Sequence, residues 1–482
     1  MNTIRSLVWF RNDLRVHDHK PLYNASLHSN EVIPFYCWEN RLKQTTSFGF
    51  KKLGDYRANF LYQSVLDLKQ TLQKEYQSDL YFTKGDVEKE LVKLYHLYPF
   101  QKIYYFIEPA PEEIQVAEKV EKAMALLGVE CISYWGNTIC DKDDLPFNLL
   151  HIPDTFTKFK KEVERAKPFL APLSVPQKIT IPASWKPVKI LSPEELDFKP
   201  VKIDSRAAMD SIGGESEALV QLQYYVWDRQ LILNYKNTRN ELLGFDYSSK
   251  LSAYLSVGAI SPRLIYEEVK HFEETVESNE STYWLIFELL WRDYFKFLMV
   301  KYNHKFFIET GIKEESSPSW DVDWNLFNLW KEGMTGNPFV DANMRELKYT
   351  GYMSNRGRQN VASFLCKDLN VNWLMGAQYF ESMLVDYDVC SNYGNWAYIA
   401  GVGVDPRGFR YFNTFSQAEH YDRHGHYVKH WIPELAPVEE PYIHEIHKQD
   451  RKILEGFGVR LGEDYPEYIL AGQKKRNAKQ HV

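Results

Sequence analysis

Three separated stretches of this sequence carry polar and aromatic side chains at spacings that could do chemistry. In the first, Asp386, Tyr387 and Asp388 are followed by Asn392, Trp396 and Tyr398. Carboxylates two residues apart can ligate a metal, but no histidine or third acid stands at ligand spacing and the neighbours are aromatic. In the second, SSKLSAYLSVGAISPR (248–263), Ser248, Ser249 and Ser252 precede an apolar helical run. Hydroxyls beside the free N–H groups of a helix start form an anion site, although an ordinary N-cap has the same residues. The third is split. In FELLWRDYF (287–295), Glu288, Trp291 and Arg292 fall at i, i+3 and i+4, so one helix face presents an acceptor, a flat ring and a guanidinium. A buried ion pair between Glu288 and Arg292 would explain that spacing equally well. Further on, Asn355, Arg356, Arg358 and Gln359 share one or two turns, where a solvated face is the plain alternative.

The elements that must position these groups divide the chain in two, as its 482 residues suggest. From 6 to 135, the apolar runs at 7–10, 31–38, 79–83, 102–107 and 130–135 alternate with helical patterns such as 55–74 and 112–127. That rhythm predicts an α/β fold, a doubly wound parallel sheet over 1–140. After the first run stands RNDLRVHD instead of a glycine-rich G-x-G-x-x-G turn, so dinucleotide binding there is not expected. Nine of the 22 prolines lie between 146 and 200. They break helical patterns and mark an extended linker over 141–214. From 215 to about 435 the pattern is helical throughout, an all-helical second domain. A C-terminal segment, 436–482, ends in the short basic stretch AGQKKRNAKQHV.

Composition narrows the class. The net charge of −7 speaks against a nucleic-acid partner, although a bulk value leaves room for a local basic patch. Between 337 and 431, nine Lys and Arg face nine Asp and Glu, so no basic domain is legible. Aromatic residues, with 13 Trp, 32 Tyr and 28 Phe, are mostly core but also suit stacking against a flavin or bases. Cys37, Cys131, Cys140, Cys366 and Cys390 lack zinc or redox spacing and read as buried thiols. No secretory signal or bilayer-length apolar run is present, so an intracellular, cytoplasmic protein without a membrane or metal partner is expected.

The blocks WFRNDLRVHD, SSKLS, ELLWRDYF, TGYMSNRGRQN, MLVDYDVCSNYGNW and DPRGFRYFN, in this order, resemble the photolyase/cryptochrome family over nearly the whole chain. SNYGNWAY and DYSSKLS are similar to its DASH cryptochromes in particular. The resemblance implies FAD inside the helical domain, with Tyr235, Ser248, Ser249, Leu251 and Ser252 at the diphosphate and Arg292 as another cofactor contact. It implies Arg358 paired with Asp386 beside the isoalloxazine, Asp388 bonding the flavin, and Asn392 facing flavin N5. Photolyases commonly have Asn there, and plant signalling cryptochromes Asp. Glu288, Trp291, Asn355, Gln359 and Tyr398 match the pocket for a cyclobutane pyrimidine dimer. Most dimer-repairing relatives outside the DASH branch have a second Trp where Tyr398 stands. Trp396, Trp373 and Trp320 match the chain of tryptophans that feeds electrons to photoexcited FAD.

The implied activity is light-driven repair of dimers in damaged DNA, preferentially single-stranded, by a monomer. A methenyltetrahydrofolate antenna between the domains is implied as well, with Glu112 or Glu113 as its acid; a glutamate-rich helix start reads the same way. Arg356, Arg407, Arg410 and Lys429 are candidates for the DNA-facing patch. The alternative is a blue-light photoreceptor signalling to a partner. Such proteins often carry a long C-terminal extension, whereas roughly fifty residues follow Trp431 here, which favours the enzyme. A (6-4) photolyase would need a catalytic histidine, and none occurs from 352 to 364.

Overall fold

A computed structural model describes residues 3–209, 212–313, 319–405 and 410–471. Five strands, β1 (Arg5–Phe10), β2 (Glu31–Glu39), β3 (Tyr81–Gly85), β4 (Lys102–Phe106) and β5 (Glu130–Tyr134), form one parallel sheet in the order β3-β2-β1-β4-β5. Strands covered on both faces need near-continuous apolar runs, and β1 and β2 are buried along almost their whole length. Helices α1 (Lys20–His28), α2 (Asp55–Tyr76), α3 (Val87–Leu97) and α4 (Pro111–Ala125) make the crossovers. In α2, Phe60, Leu61, Val65, Leu68 and Leu72 form the buried stripe.

The loop after β1 explains the missing glycine turn: it is the bolt to the second domain. Arg15 donates to the Gly258 carbonyl at 2.9 Å, and Glu215 accepts the Val16 N–H at 2.8 Å. Gly258, at φ +66°, is needed because a Cβ there would fall 2.1 Å from the Asn12 carbonyl oxygen. Across the same seam, Asp293 accepts the N–H groups of Ile139 and Cys140, and Trp135 stacks on Phe297 at 5.4 Å.

The linker is not extended throughout. Its proline-free stretch forms α5 (Phe156–Ala166), which buries Phe156, Phe159 and Val163 against the helical domain. Prolines on either side end the helix; none interrupts it.

The helical domain begins with α6 (Glu215–Gln223), followed by α7 (Tyr235–Thr238), α8 (Ser252–Ser256), α9 (Pro262–Thr275) and α10 (Glu280–Tyr302). Then come α11 (Trp324–Glu332), α12 (Pro338–Thr350), α13 (Asn355–Ser363), α14 (Trp373–Met383) and α15 (Val389–Ala400). The long α10 starts with a reciprocal cap between Asn279 and Thr282. Residues 432–465 fold back on this body through Ile432, Leu435, Ile443 and Tyr465, whose hydroxyl donates to Asp341. The basic stretch from 472 onward lies outside the described residues. Four of the five cysteines are buried; burial pushes the thiols up, Cys366 to about 12. Among the described residues no helix is long and apolar enough to cross a membrane.

Candidate flavin site and its neighbours

A cavity opens in the helical domain between α8, α13, α14 and α15. Its wall brings together most of the sequence candidates: Tyr235, Ser248, Ser249, Leu251, Ser252, Glu288, Asn355, Arg358, Gln359, Asp386, Asp388, Asn392 and Trp396. At its base, Arg358 donates to both Asp386 oxygens at 2.9 and 2.8 Å, and Ser252 donates to the same carboxylate at 2.7 Å. A carboxylate so committed is a positioned acceptor. Burial opposes the charge on Arg358, yet the Asp386 carboxylate outweighs it and holds the guanidinium above its ordinary value.

Asp388 has a second duty, because its carboxylate caps α15 by accepting the Ser391 N–H at 2.7 Å. Asn392, one turn on, donates its amide to the Ala377 carbonyl at 3.0 Å, which fixes the side chain on the cavity wall. At the mouth, one Glu288 oxygen accepts from Arg239 at 2.7 Å and from the Trp284 indole at 3.1 Å. Burial pushes Glu288 up, and Arg239 only partly opposes this. The pair is therefore Glu288 with Arg239, not with Arg292.

Arg292 departs from the expected cofactor contact. Its guanidinium donates to the carbonyls of Asn137 and Leu255, and it lines a different cavity. At the interdomain seam Arg292 thus ties the loop carrying Asn137 to the last turn of α8. Trp291 and Tyr398 are neighbours, edge to face at 6.1 Å, but neither is on the cavity wall. Phe156 stacks on Trp291 at 3.7 Å, and the Tyr398 hydroxyl accepts from Arg410 at 2.8 Å. Trp373 is fully buried one turn from Gly376, which touches the Trp396 ring, while Trp320 is half-buried.

Sequence reasoning missed Arg239, Lys250, Phe156 and Trp284. Lys250 stood within SSKLS yet is 2% exposed, its ammonium nitrogen 3.2 Å from the centre of the Tyr247 ring. Burial drives it well below the ordinary lysine value. A lysine in a serine-rich turn reads as surface, and only a positive φ of 56° turns it inward. Phe156 hid in the proline-rich stretch.

The donor set fits FAD. Serine hydroxyls, Lys250 and the N–H groups before α8 suit a diphosphate, while Arg358, Asp386, Asp388 and Asn392 suit the edge of a flavin ring. The Tyr247 hydroxyl, buried on the same wall, has the Tyr352 hydroxyl as a polar neighbour.

A second cavity lies between the domains. Glu112 and Glu113 both line it. Glu113 is buried and accepts from Arg41 at 2.8 Å, whereas Glu112 is half-exposed and paired with Lys52. Tyr387 and Asp388 line both cavities, so a single wall separates them. Of the candidate DNA-facing residues, Arg356 donates to Gln359 and Asn240, Arg410 is paired with Asp405, and Lys429 is half-buried on a helix over His426–Trp431. Arg407 lies outside the described residues.

Comparison with known proteins agrees with the fold, a parallel-sheet domain followed by a helical FAD-binding domain. A family model described as DNA photolyase matches residues 6–177, and one described as the FAD binding domain of DNA photolyase matches 284–482. The cavity wall at 235–252 falls outside both segments. The chain is 47% identical to a cryptochrome DASH of Gloeobacter violaceus, covering 98% of this chain and 94% of that protein. It is 43% identical to one of Xenopus laevis, covering 95% and 88%. A Synechocystis cryptochrome structure superposes with a TM-score of 0.93 at 44% identity, covering 97% of each chain. A class III photolyase from Agrobacterium tumefaciens gives 0.85 at 30%, covering 97% and 95%. With its parallel-sheet domain, its helical FAD-binding domain and these relatives along nearly its full length, the chain belongs to the photolyase/cryptochrome family, in the cryptochrome DASH branch.

Proposed function

We propose that the protein repairs cyclobutane pyrimidine dimers with light, by electron transfer from reduced FAD, and prefers single-stranded DNA. One observation carries this reading: Glu288, Asn355 and Gln359 share a cavity wall with Asp386, Asp388 and Asn392. A lesion held by the first three would lie against a flavin held by the second three. Bound reduced FAD would supply the electron that opens the cyclobutane ring and would take it back afterwards.

The chain's own residues bind and orient. Arg358 and Asp386 hold a fixed pair of charges at the flavin edge, and the Asn392 amide is locked by Ala377. Burial raises Glu288 from its ordinary value, while Arg239 holds its carboxyl group at the mouth as an acceptor for a pyrimidine N–H. Trp291 and Tyr398 give the lesion apolar surface beside the mouth. A tyrosine ring stacks less area than an indole, and extruding a base costs a few kcal/mol, least from a single strand. Both facts favour single-stranded substrate. Arg356, Arg410 and Lys429 are assigned to backbone phosphates. The interdomain cavity is assigned to a methenyltetrahydrofolate antenna, with Glu112 or Glu113 as the acceptor for the pterin amino group.

The test is blue-light repair of a thymine-dimer oligonucleotide by the reduced protein, on single strand and duplex, at equal dose and stated salt. Faster repair of the single strand is the expected result. Equal rates would remove the argument from Tyr398. Failure on both substrates would move the assignment to a photoreceptor that signals to a partner.

A further inference from the structure

Trp396, on the cavity wall, has two aromatic ring neighbours among the described residues: Phe380 at 5.1 Å and Trp330 at 6.3 Å, both edge to face. No described aromatic ring centre lies as near to Trp373 as these do to Trp396; the Trp373 indole N–H donates to the Glu309 carbonyl. Trp330 is fully buried on α11 and is anchored by its indole N–H on the Val361 carbonyl at 3.0 Å. From Trp330 the rings continue outward. Phe327 lies 5.5 Å away, and Trp324 lies 5.7 Å beyond Phe327. Trp324 opens α11, at a rise of about 9 Å along the axis from Trp330, and is 41% exposed. Phe50 packs against Phe327 and Trp324 and closes the side of the column.

We propose that Trp330 and Trp324 form a second electron route to Trp396, parallel to Trp373 and Trp320, with Trp324 as its solvent-facing end. The proposal rests on the flavin lying in the cavity that Trp396 lines. Tunnelling falls steeply with the gap between rings, so the nearest oxidisable ring has the advantage. Indole can also lose an electron without first losing its proton, which suits a buried relay whose only polar contact is a backbone carbonyl. The electrons balance simply. One electron leaves Trp396 for the photoexcited flavin, Trp330 refills Trp396, and Trp324 refills Trp330 through Phe327, which is not itself oxidised. A dissolved thiol gives one electron to Trp324 and its proton to solvent, and two such thiols end as a disulfide.

The experiment uses the full FAD-loaded chain with thiol as donor. Trp373→Phe is expected to keep at least a third of the wild-type photoreduction rate, and adding Trp324→Phe to lower what remains at least fivefold. Trp324 is exposed, so this second change spares the core. A readout independent of flavin reduction is light-dependent oxygen addition at Trp324, mapped by peptide mass spectrometry after illumination in air without thiol. It is expected to persist in Trp373→Phe and to vanish in Trp330→Phe. The proposal is overturned if Trp373→Phe alone is as inert as Trp396→Phe, or if Trp324 is oxidised equally with and without Trp330. Should Trp396→Phe itself photoreduce normally, the failure lies with the flavin placement and the relay falls with it.

Discussion

One nitrogen of Arg358 reaches both oxygens of Asp386, at 2.9 and 2.8 Å, and the carboxylate end of the pair is almost completely buried. Removing one partner leaves the other charged in a low-dielectric wall. Breaking such a pair costs about 3–5 kcal/mol; the Arg358 side chain is 26% exposed, which places the cost at the lower end. Asp386→Ala is therefore expected to lower stability by about 3 kcal/mol and to purify with little FAD. Urea unfolding and the ratio of flavin to protein absorbance check the two halves separately. Full flavin content in this variant would remove Asp386 from the site.

Beneath the same wall, burial raises the Glu346 carboxyl to about 7, although the Tyr427 hydroxyl donates to it at 2.7 Å. The unfolded chain releases this proton near pH 4.5, whereas the folded protein keeps it until about 7. Between those values the folded state binds more protons, so the contribution of Glu346 is full below pH 4.5 and is lost as pH rises toward 7. Glu346→Gln keeps an acceptor for Tyr427 and removes the titration. Relative to wild type, the variant should gain stability between pH 5 and pH 8, by a few kcal/mol on the scale of about 1.4 kcal/mol per pKa unit. Parallel urea curves at the two pH values measure the difference. Asp293 and Asp368, also raised to about 7, cancel in the comparison.

Gly376 is where α14 admits the Trp396 ring. A Cβ on residue 376 would lie 2.2 Å from the indole, so Gly376→Ala must displace either the ring or the helix. Overfilling a packed core costs about 1–3 kcal/mol. The variant should fold, shift its near-ultraviolet circular dichroism, and photoreduce more slowly than wild type. An unchanged rate would mean that the position of Trp396 does not govern electron supply.

The parallel sheet was legible because its strands are apolar runs bounded by turns, and β2 and β4 fall within one residue of their sequence limits. The cavity wall was legible because its residues sit in distinctive blocks near helix starts, where Ser252, Asp388 and Asn355 must lie. Contacts made across blocks were not. Glu288 had Arg292 at an ideal helical spacing, yet its partner is Arg239 from another segment, because the Arg292 guanidinium is spent on the Asn137 and Leu255 carbonyls. The α5 helix was hidden because prolines on both sides dominated the local pattern, although none falls inside it. Trp330 went unnoticed for a similar reason: within α11 its spacing is that of an ordinary buried stripe with Phe327.

The proposed function gives electron supply and lesion binding to different residues, and this separation yields the last prediction. Trp396→Phe should bind FAD yet nearly lose photoreduction by an external donor, because a phenyl ring is far harder to oxidise than indole. The ring volume is largely kept, so the stability loss should be on the order of 1 kcal/mol. After chemical reduction with dithionite the same variant should repair dimers, since the repair electron would start on the reduced flavin and Trp396 serves only to reduce oxidised flavin. Glu288→Ala should do the reverse. Photoreduction stays intact, while dimer affinity falls by roughly tenfold, the equivalent of one lost hydrogen bond to the Glu288 carboxyl group at about 1.4 kcal/mol. Arg239 then loses the carboxylate it holds at 2.7 Å, so Glu288→Gln serves as the control that keeps an acceptor there. Flavin absorbance under illumination reads the first property, and dimer binding in the dark reads the second. A Trp396→Phe protein that photoreduces at the wild-type rate would return that indole to the role of a core aromatic beside Phe380 and Trp330.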